Sequence, residues 1–313
     1  MHGDSQEDAG KVVAGKVVAA DRSTRGAPAL ARALWRVAEP YHALTYFAPE
    51  SPRAFEAAGL RGFWRGYFAG RAAPLGPVDA APVVAAFYGF RPDFVARAVP
   101  EVWARCAPAD ALTARLAGID AAVRAHLDLD EVVEVAALVV PVLWAAADRC
   151  SAAGRVLFAT NAALPLPDEP HLALWHSVTL LREHRGDGHV AALVAHDVAP
   201  CAAHALRIAA TNATLESIEP YRGWDADDWA VTGDDLRARG WVDADGTITA
   251  AGRAVHDGVE AATDRSAAAF VTGIDDAMAT RLVDALGPLA RRLGDRVIHS
   301  FPTRRSSDLK SVV

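Results

Sequence analysis

The sequence predicts a mainly α-helical fold: a helical N-terminal half, and a C-terminal half whose helices are interrupted by one short β-hairpin. Three observations lead there. Apolar residues recur at three- and four-residue spacing over most of the chain, the period of one helix face. Strand-like alternation falls mainly on one stretch, WVDADGTIT (241–249), around an Asp245-Gly246 turn pair. Proline and glycine cut the remainder into segments of helical length.

The elements follow in order. APALARALWRVAE (27–39) reads as a helix ending before Pro40, which opens a second, PYHALTYFA, at its first position. SPRAFEAAG starts at Ser51-Pro52 and stops at Gly59. GFWRGYFAGRAA is short and aromatic, and DAAPVVAAFYGF and PDFVARAV follow it. ADALTARLAGIDAAVRAHL and DEVVEVAALVVPVLWAAADRC are the two longest helical patterns. The proline-rich ALPLPDEP (163–170) marks a boundary between a helical domain, 26–165, and a second domain, 166–298. Beyond it, HLALWHSVTLLREHR and GHVAALVAHD read as two helices. Gly186 can take the left-handed position that ends the first, and Asp187 can cap the second. One continuous helix would carry two interior glycines, at about 1 kcal/mol each. PCAAHALRIAAT, DADDWAVTGDDLRARG, the hairpin, a long helix through HDGVEAATDRSAAAF and the final DAMATRLVDALGPLARRLG complete the body.

Both ends differ from the body. Residues 1–25, with the near-repeat KVVAGKVVA, read as a disordered tail. All eleven residues of HSFPTRRSSDL (299–309) match the in-frame translation of a common sequencing adapter. Native sequence is therefore expected to stop near Ile298, with 299–313 a non-native tail.

The bulk numbers narrow the function classes. Hydrophobic residues make up 52% of the 313 and charged residues 23%, a globular composition able to build a sizeable core. The net charge of -7 weighs against a general role on nucleic acid or anionic membrane. No apolar run reaches the 18 residues of a membrane span, and the start MHGDSQEDAG lacks a signal peptide's basic character. Cys106, Cys150 and Cys201 are widely spaced and odd in number, which fits a reduced cytoplasm better than a disulfide framework or a zinc site. Lysine occurs three times against 29 arginines, the bias of a high-GC bacterial gene.

The leucine-to-glycine end of the helix before the hairpin, the hairpin itself and the T-x-x-G-R start at Thr249, Gly252 and Arg253 resemble a winged-helix domain of the MarR-like kind. EPYHALTYFAPE (39–50), GFWRGYFAGRAAPLG (62–76) and LWHSVTLLREHRGDGHVAALVAH (174–196) more closely resemble an actinobacterial helix-turn-helix family of uncharacterised proteins. The likeness runs over roughly residues 30–298. It implies a winged-helix C-terminal half and an intracellular setting, and it supplies no reaction.

Winged helices usually read DNA with a helix in the major groove and a basic wing on phosphate. Here the helix before the hairpin carries Asp225, Asp227, Asp228, Asp234 and Asp235 against Arg237 and Arg239, and the wing carries Asp243 and Asp245 without a cation. The alternative helix-turn-helix reading, HVAALVAHDVAPCAAHALRIAA (189–210), offers only Arg207 plus neutral histidines. DNA is thus the less favoured partner. The stretch 174–196 is the main functional candidate. A break at Gly186 would let Arg182, Arg185 and His189 converge beside Trp175 and His176, with Asp187 as an orienting or capping group. Paired guanidiniums and an imidazole suit a carboxylate or phosphate. The alternatives are a hydrogen-bonded core histidine at 176, surface charges at 183 and 185, and a plain turn at RGDG. Glu39 and His42 superficially match a di-iron Glu-x-x-His, but no second such pair exists and Pro40 disturbs the geometry. His42 and Tyr46, one turn apart, are read instead as pocket-lining residues, with aromatic core as the alternative.

No nucleophile elbow, Walker loop, dinucleotide fingerprint or HExxH occurs. The expected function is binding of a small aromatic or anionic ligand by His42, Tyr46, Trp175, His176, Arg182, Arg185, Asp187 and His189, with no metal and no cofactor. The competing classes are a DNA-binding regulator and a His/Arg-dependent enzyme, the latter less favoured. Residues 250–294 offer a surface for a homodimer.

Overall fold

The computed structural model describes residues 26–211 and 213–298. The expected N-terminal tail and the adapter-like segment lie outside the described residues. Fifteen α-helices run along the described chain. They are α1 (Ala27–His42), α2 (Leu44–Phe47), α3 (Glu50–Ala57), α4 (Phe63–Ala72), α5 (Ala80–Phe87), α6 (Pro92–Ala96), α7 (Val102–Arg105), α8 (Pro108–His126), α9 (Leu129–Asp148), α10 (Val156–Ala162), α11 (Pro170–Ala195), α12 (Pro200–Ala210), α13 (Ala226–Ala238), α14 (Ala250–Val271) and α15 (Asp276–Leu293).

Several starts follow side-chain caps that satisfy the orphan amides of a first turn. Asp128 accepts from the amides of Asp130 and Glu131, and Asp275 from that of Met278. Asp225 and Asp228 form a reciprocal capping box at α13.

α11 occupies the centre of the molecule. Packed around it are α1, α8, α9, α10 and α14, and it is buried on every side over most of its 26 residues. The largest core cluster joins Leu34 and Tyr41 of α1, Val139 and Leu143 of α9, Leu174 and Trp175 of α11, Phe270 of α14 and Leu286 of α15. It therefore draws residues from both sides of the proline-rich segment 163–170. A second, aromatic cluster gathers Phe55 of α3, Trp64 and Phe68 of α4, Phe87 of α5 and Phe90 of the segment after it. There, α3 presses so closely on α4 that a Cβ at Gly70 would stand 2.3 Å from the Phe55 ring. A third, smaller cluster joins Leu193, Val198, Ala202, Leu236, Val242 and Val259 at the C-terminal end of α11. The helices over 250–294 turn apolar stripes inward, Val259, Ala267 and Phe270 on α14 and Leu282, Leu286 and Leu289 on α15.

Two sequence expectations are corrected. α1 does not end before Pro40; it continues through it to His42. An interior proline forfeits a helical hydrogen bond, at about 3 kcal/mol. Buried residues on both sides of it, Leu34, Ala38, Tyr41 and His42, hold the helix in line. Likewise α11 does not break at Gly186: one helix spans 170–195. His189 therefore lies inside that helix rather than at the start of a new one. Burial along its whole length outweighs the propensity penalty of two glycines.

The expected hairpin is reduced to its minimum. No strand is present among the described residues, only an antiparallel bridge between Val242 and Ile248, flanked by a Thr249 amide to Trp241 carbonyl bond of 3.0 Å. Gly246, at φ 80°, makes the turn. Thr249 caps α14 by accepting from the Gly252 amide, and a Cβ at Gly252 would lie 2.1 Å from the Trp241 carbonyl oxygen. The T-x-x-G signature thus joins a cap to a close approach of backbone on helix. In an ordinary helix interior Gly→Ala is stabilising. Gly252→Ala should instead destabilise the protein by about 2 kcal/mol in chemical denaturation, because α14 and the bridge must separate; a variant as stable as the parent would refute that packing.

Candidate functional site

The ionisable groups of α11 divide among three environments. The first is a closed chamber facing α2, α4 and α8, with room of about 10 Å³, no more than one water would need. His42 and Tyr46 meet Trp175 and Thr179 there. The Thr179 hydroxyl donates to the Trp175 carbonyl at 2.8 Å, so it accepts from His42 Nδ1–H at 2.9 Å. His42 Nε2 is then the acceptor for the Tyr46 hydroxyl at 3.1 Å. The indole of Trp175 donates to the His42 carbonyl at 3.1 Å and stacks on its ring. Burial, aided by Arg182, Arg71 and Arg115, keeps His42 well below the usual histidine range. Arg115 crosses the chamber 5.0 Å from the Trp175 ring and donates to the Gly70 carbonyl and Asn161; burial pulls its guanidinium down to about 10.

The second environment is structural. Arg185 stands 2.9 Å from Asp264 and, with Arg32 of α1, faces both Asp264 and Glu260 of α14. Its guanidinium also covers Trp35 at 4.7 Å. Two cations and two anions thereby tie α1, α11 and α14 together. Asp187 does not cap a helix of its own. Buried, it accepts from the Phe158 amide at 2.9 Å and so caps α10 from a neighbouring helix. Burial raises its carboxyl to about 6 against that bond's opposing pull. His176 lies on another side of α11, against Trp144, and His184 between Phe158 and Phe270. His176 Nε2 and His184 Nδ1 have no hydrogen-bond partner. Burial, with Arg115 and Arg155 respectively, lowers them to about 4 and about 3.

The third environment is a cavity of about 310 Å³ between the end of α5 and helices α11, α12 and α14. Arg182, Gly186 and His189 of α11 line it, successive positions on one helix face. The His189 tautomer follows from its partner: the Thr263 hydroxyl donates to the Val259 carbonyl at 2.8 Å and accepts from His189 Nδ1–H at 3.0 Å, which leaves Nε2 a lone pair. Burial lowers this imidazole; Glu260 opposes that, while Arg185, Arg207 and Arg182 add to it.

Sequence reasoning missed three cations of this cavity as site residues: Arg71, Arg207 and Arg222. Arg71 lies 4.1 Å over the Phe87 ring and Arg222 4.9 Å over Phe90. The loop bearing Arg222 is pinned to the segment after α5. The Arg91 amide donates to the Arg222 carbonyl at 2.9 Å, the Trp224 indole to the Gly89 carbonyl at 3.0 Å, and Gly223, at φ 79°, abuts Phe94. Burial lowers Arg222; Tyr67 opposes it, and Arg71, Arg207 and Arg182 reinforce it. Arg71 and Arg182 share one carboxylate, Glu183, at 3.9 and 2.8 Å. Among the described residues no carboxylate pairs with Arg207 or Arg222. The GFWRGYFAGRAA stretch did contain a signal, Tyr67 and Arg71 one turn apart. Arg222, in a loop far along the chain, carried none.

The cavity adjoins the chamber through Tyr67 and Arg71, so the two polar clusters of the sequence are neighbours. It adjoins an open groove of about 1080 Å³ on the other side, which holds Arg185. No group of three His, Cys, Asp or Glu able to hold a metal occurs among the described residues, and no described helix is long and apolar enough to cross a membrane.

The buried histidines set a pH dependence. In the unfolded chain they take up protons near pH 6.5, whereas folded His176, His184 and His204 resist to about 4, 3 and 4. Between those values the unfolded state holds more protons, so stability falls as pH falls, by up to about 1.4 kcal/mol per pH unit for each histidine. Asp187 works the other way below about pH 6 and offsets one of the three. Urea midpoints should therefore drop between pH 6.5 and 4.5; a flat or rising profile would contradict the burial of these rings.

No curated protein and no solved structure matches the chain. A family model described as a helix-turn-helix family matches residues 31–300. α11 and α12 are joined by four residues, 196–199, with Asp197 at φ 52° in the turn, and the third core cluster packs α12 and α13 against that turn. The chain belongs to this helix-turn-helix family.

Proposed function

We propose that the protein binds an anionic small molecule in the cavity between α5, α11, α12 and α14. One observation carries this reading: Arg207 and Arg222 line the cavity without a carboxylate partner, beside Arg71 and Arg182, which share Glu183, with Glu39 3.8 Å from Arg182. Arg222 is half-buried and Arg207 stands exposed at the cavity mouth; unpaired guanidiniums brought this close repel one another, and an anion relieves that repulsion. The volume falls at the small end of ligand pockets. Tyr67, Phe87 and Phe90 supply ring faces for an apolar part. Arg182 and His189 are the anchors that sequence and geometry share. His42, Tyr46 and Trp175 back the wall from the closed chamber, and Arg185 and Asp187 hold the frame.

Native mass spectrometry of the purified protein is expected to show a co-purifying anion. Arg207→Ala and Arg222→Ala should each weaken its retention at least about tenfold, with Arg182→Ala and His189→Ala lowering occupancy as well. Unchanged occupancy in all four would sink the reading.

Family membership favours a second reading, a DNA-binding regulator whose α12, α13, bridge and α14 form a reduced winged helix. Its electrostatics oppose it. Arg237 is paired with Asp234 at 2.6 Å, and Arg239 with Asp197 and Asp235 at 2.9 Å each. Asp243 and Asp245 occupy the turn of the bridge. Each phosphate contact needs a free donor; among the described residues Arg207 of α12 and Arg253 of α14 lack a carboxylate partner, while α13 and the bridge turn offer carboxylates instead. A gel shift with the gene's own upstream DNA at moderate salt should show no complex; a specific shift would install this reading in place of the first.

A further inference from the structure

α11 carries two interior glycines, and packing accounts for only one. A Cβ at Gly188 would lie 2.5 Å from Ser266 Oγ and 2.9 Å from Arg155 Nη1, so the approach of α14 requires glycine there. Gly186 is different. Its backbone is helical, and a Cβ would meet nothing nearer than Glu183 Oε2 at 3.6 Å and Arg182 Nη1 at 3.8 Å. Alanine would fit and would favour the helix. Gly186 is set apart by its position. It lines both the cavity and the open groove, with Arg182 and His189 one turn to either side and Arg207, His256 and Glu260 facing from α12 and α14. The missing side chain leaves α11 bare where the two spaces meet.

We propose that the cavity and the groove form one site for an elongated dianion of the phosphomonoester class, which crosses α11 at Gly186, so that residue 186 sets the bulk the site admits. The proposal rests on the anion-binding reading above and adds a shape and a charge. On the cavity side, four arginines face one shared carboxylate, Glu183; Arg182 also reaches Glu39 at 3.8 Å, and Glu260 is already engaged by Arg32 and Arg185. The positive charge left over exceeds what one monocarboxylate neutralises, and guanidiniums suit a phosphate's several oxygens. On the groove side, Arg32 and Arg185 are matched by Asp264 and Glu260, Arg36 and Arg207 stand with Glu39 and Asp257, and Trp35 forms part of the wall. An uncharged or aromatic body suits that end.

The test uses the full chain, inorganic phosphate, 1-naphthyl phosphate and 1-naphthoate, with titration calorimetry and thermal melting. Gly186→Ala should melt higher by about 2 °C. Gly186→Leu should bind inorganic phosphate like the parent but 1-naphthyl phosphate at least tenfold more weakly. The parent should prefer 1-naphthyl phosphate to 1-naphthoate at least tenfold. A Gly186→Ala variant that melts lower would mean the fold itself needs this glycine, and would overturn the proposal. So would Gly186→Leu binding 1-naphthyl phosphate unchanged, or equal affinity for the two naphthyl probes; the anion-binding reading would survive both. A parent that binds neither phosphate nor 1-naphthyl phosphate overturns the proposal and the reading beneath it together.

Discussion

The fold answers to the desolvation of ionisable groups on its central helix. α11 is enclosed by five other helices, yet His171, His176, Glu183, His184, Arg185 and Asp187 are all buried along it. A charge taken out of water must be paired or neutralised. The neighbouring helices are placed to do this. Asp120 of α8 meets His171, Arg71 of α4 and Arg182 face Glu183, Asp264 and Glu260 of α14 meet Arg185, and the first turn of α10 meets Asp187. Where no partner exists, at His176 and His184, the ring stays neutral against aromatic neighbours. Stability and site chemistry therefore share one scaffold. The Arg32–Arg185–Asp264–Glu260 tie aligns α11 with α14, and that alignment sets Arg182 and His189 against α12.

The charge distribution runs opposite to that of a DNA reader. The chain is acidic overall. On the α13 segment Arg237 and Arg239 are engaged by aspartates, while Arg207 and Arg222, without a carboxylate partner, line the cavity. A half-buried guanidinium such as Arg222 is screened less than one at an exposed surface. α12 packs with α13 in the third core cluster and also supplies His204 and Arg207 to the cavity wall. An anion held there would touch α12 directly.

Much of the fold was legible because it depends on local chemistry. The amphipathic period placed α3, α4, α8, α9, α12, α13, α14 and α15. The Asp245-Gly246 turn lies where its dipeptide placed it, whereas the one N-cap the sequence suggested, Asp187, serves α10 instead of its own helix. Half of the site was legible in its residues and not in its geometry: the sequence suggests convergence of Arg182 and His189 through a break at Gly186, whereas they share one face because α11 is continuous. Arg185 and Asp187 were visible as unusual residues, but not as structural ties, because their partners lie on α14 and α10, far away in sequence.

The sequence by itself determined the mainly helical class, the turn at Asp245-Gly246, the acidic character of α13 and the bridge turn, and the candidacy of the 174–196 stretch. Tertiary structure alone decided that α1 runs through Pro40 and α11 through Gly186, that the hairpin shrinks to one bridge, and that Arg71, Arg207 and Arg222 join Arg182 around one cavity. The physical reason is common to all of these. Proline, glycine and lone arginine carry local preferences of about 1–3 kcal/mol or less, and burial against neighbouring helices exceeds them. That burial is a property of residues distant in the chain, which no local pattern records.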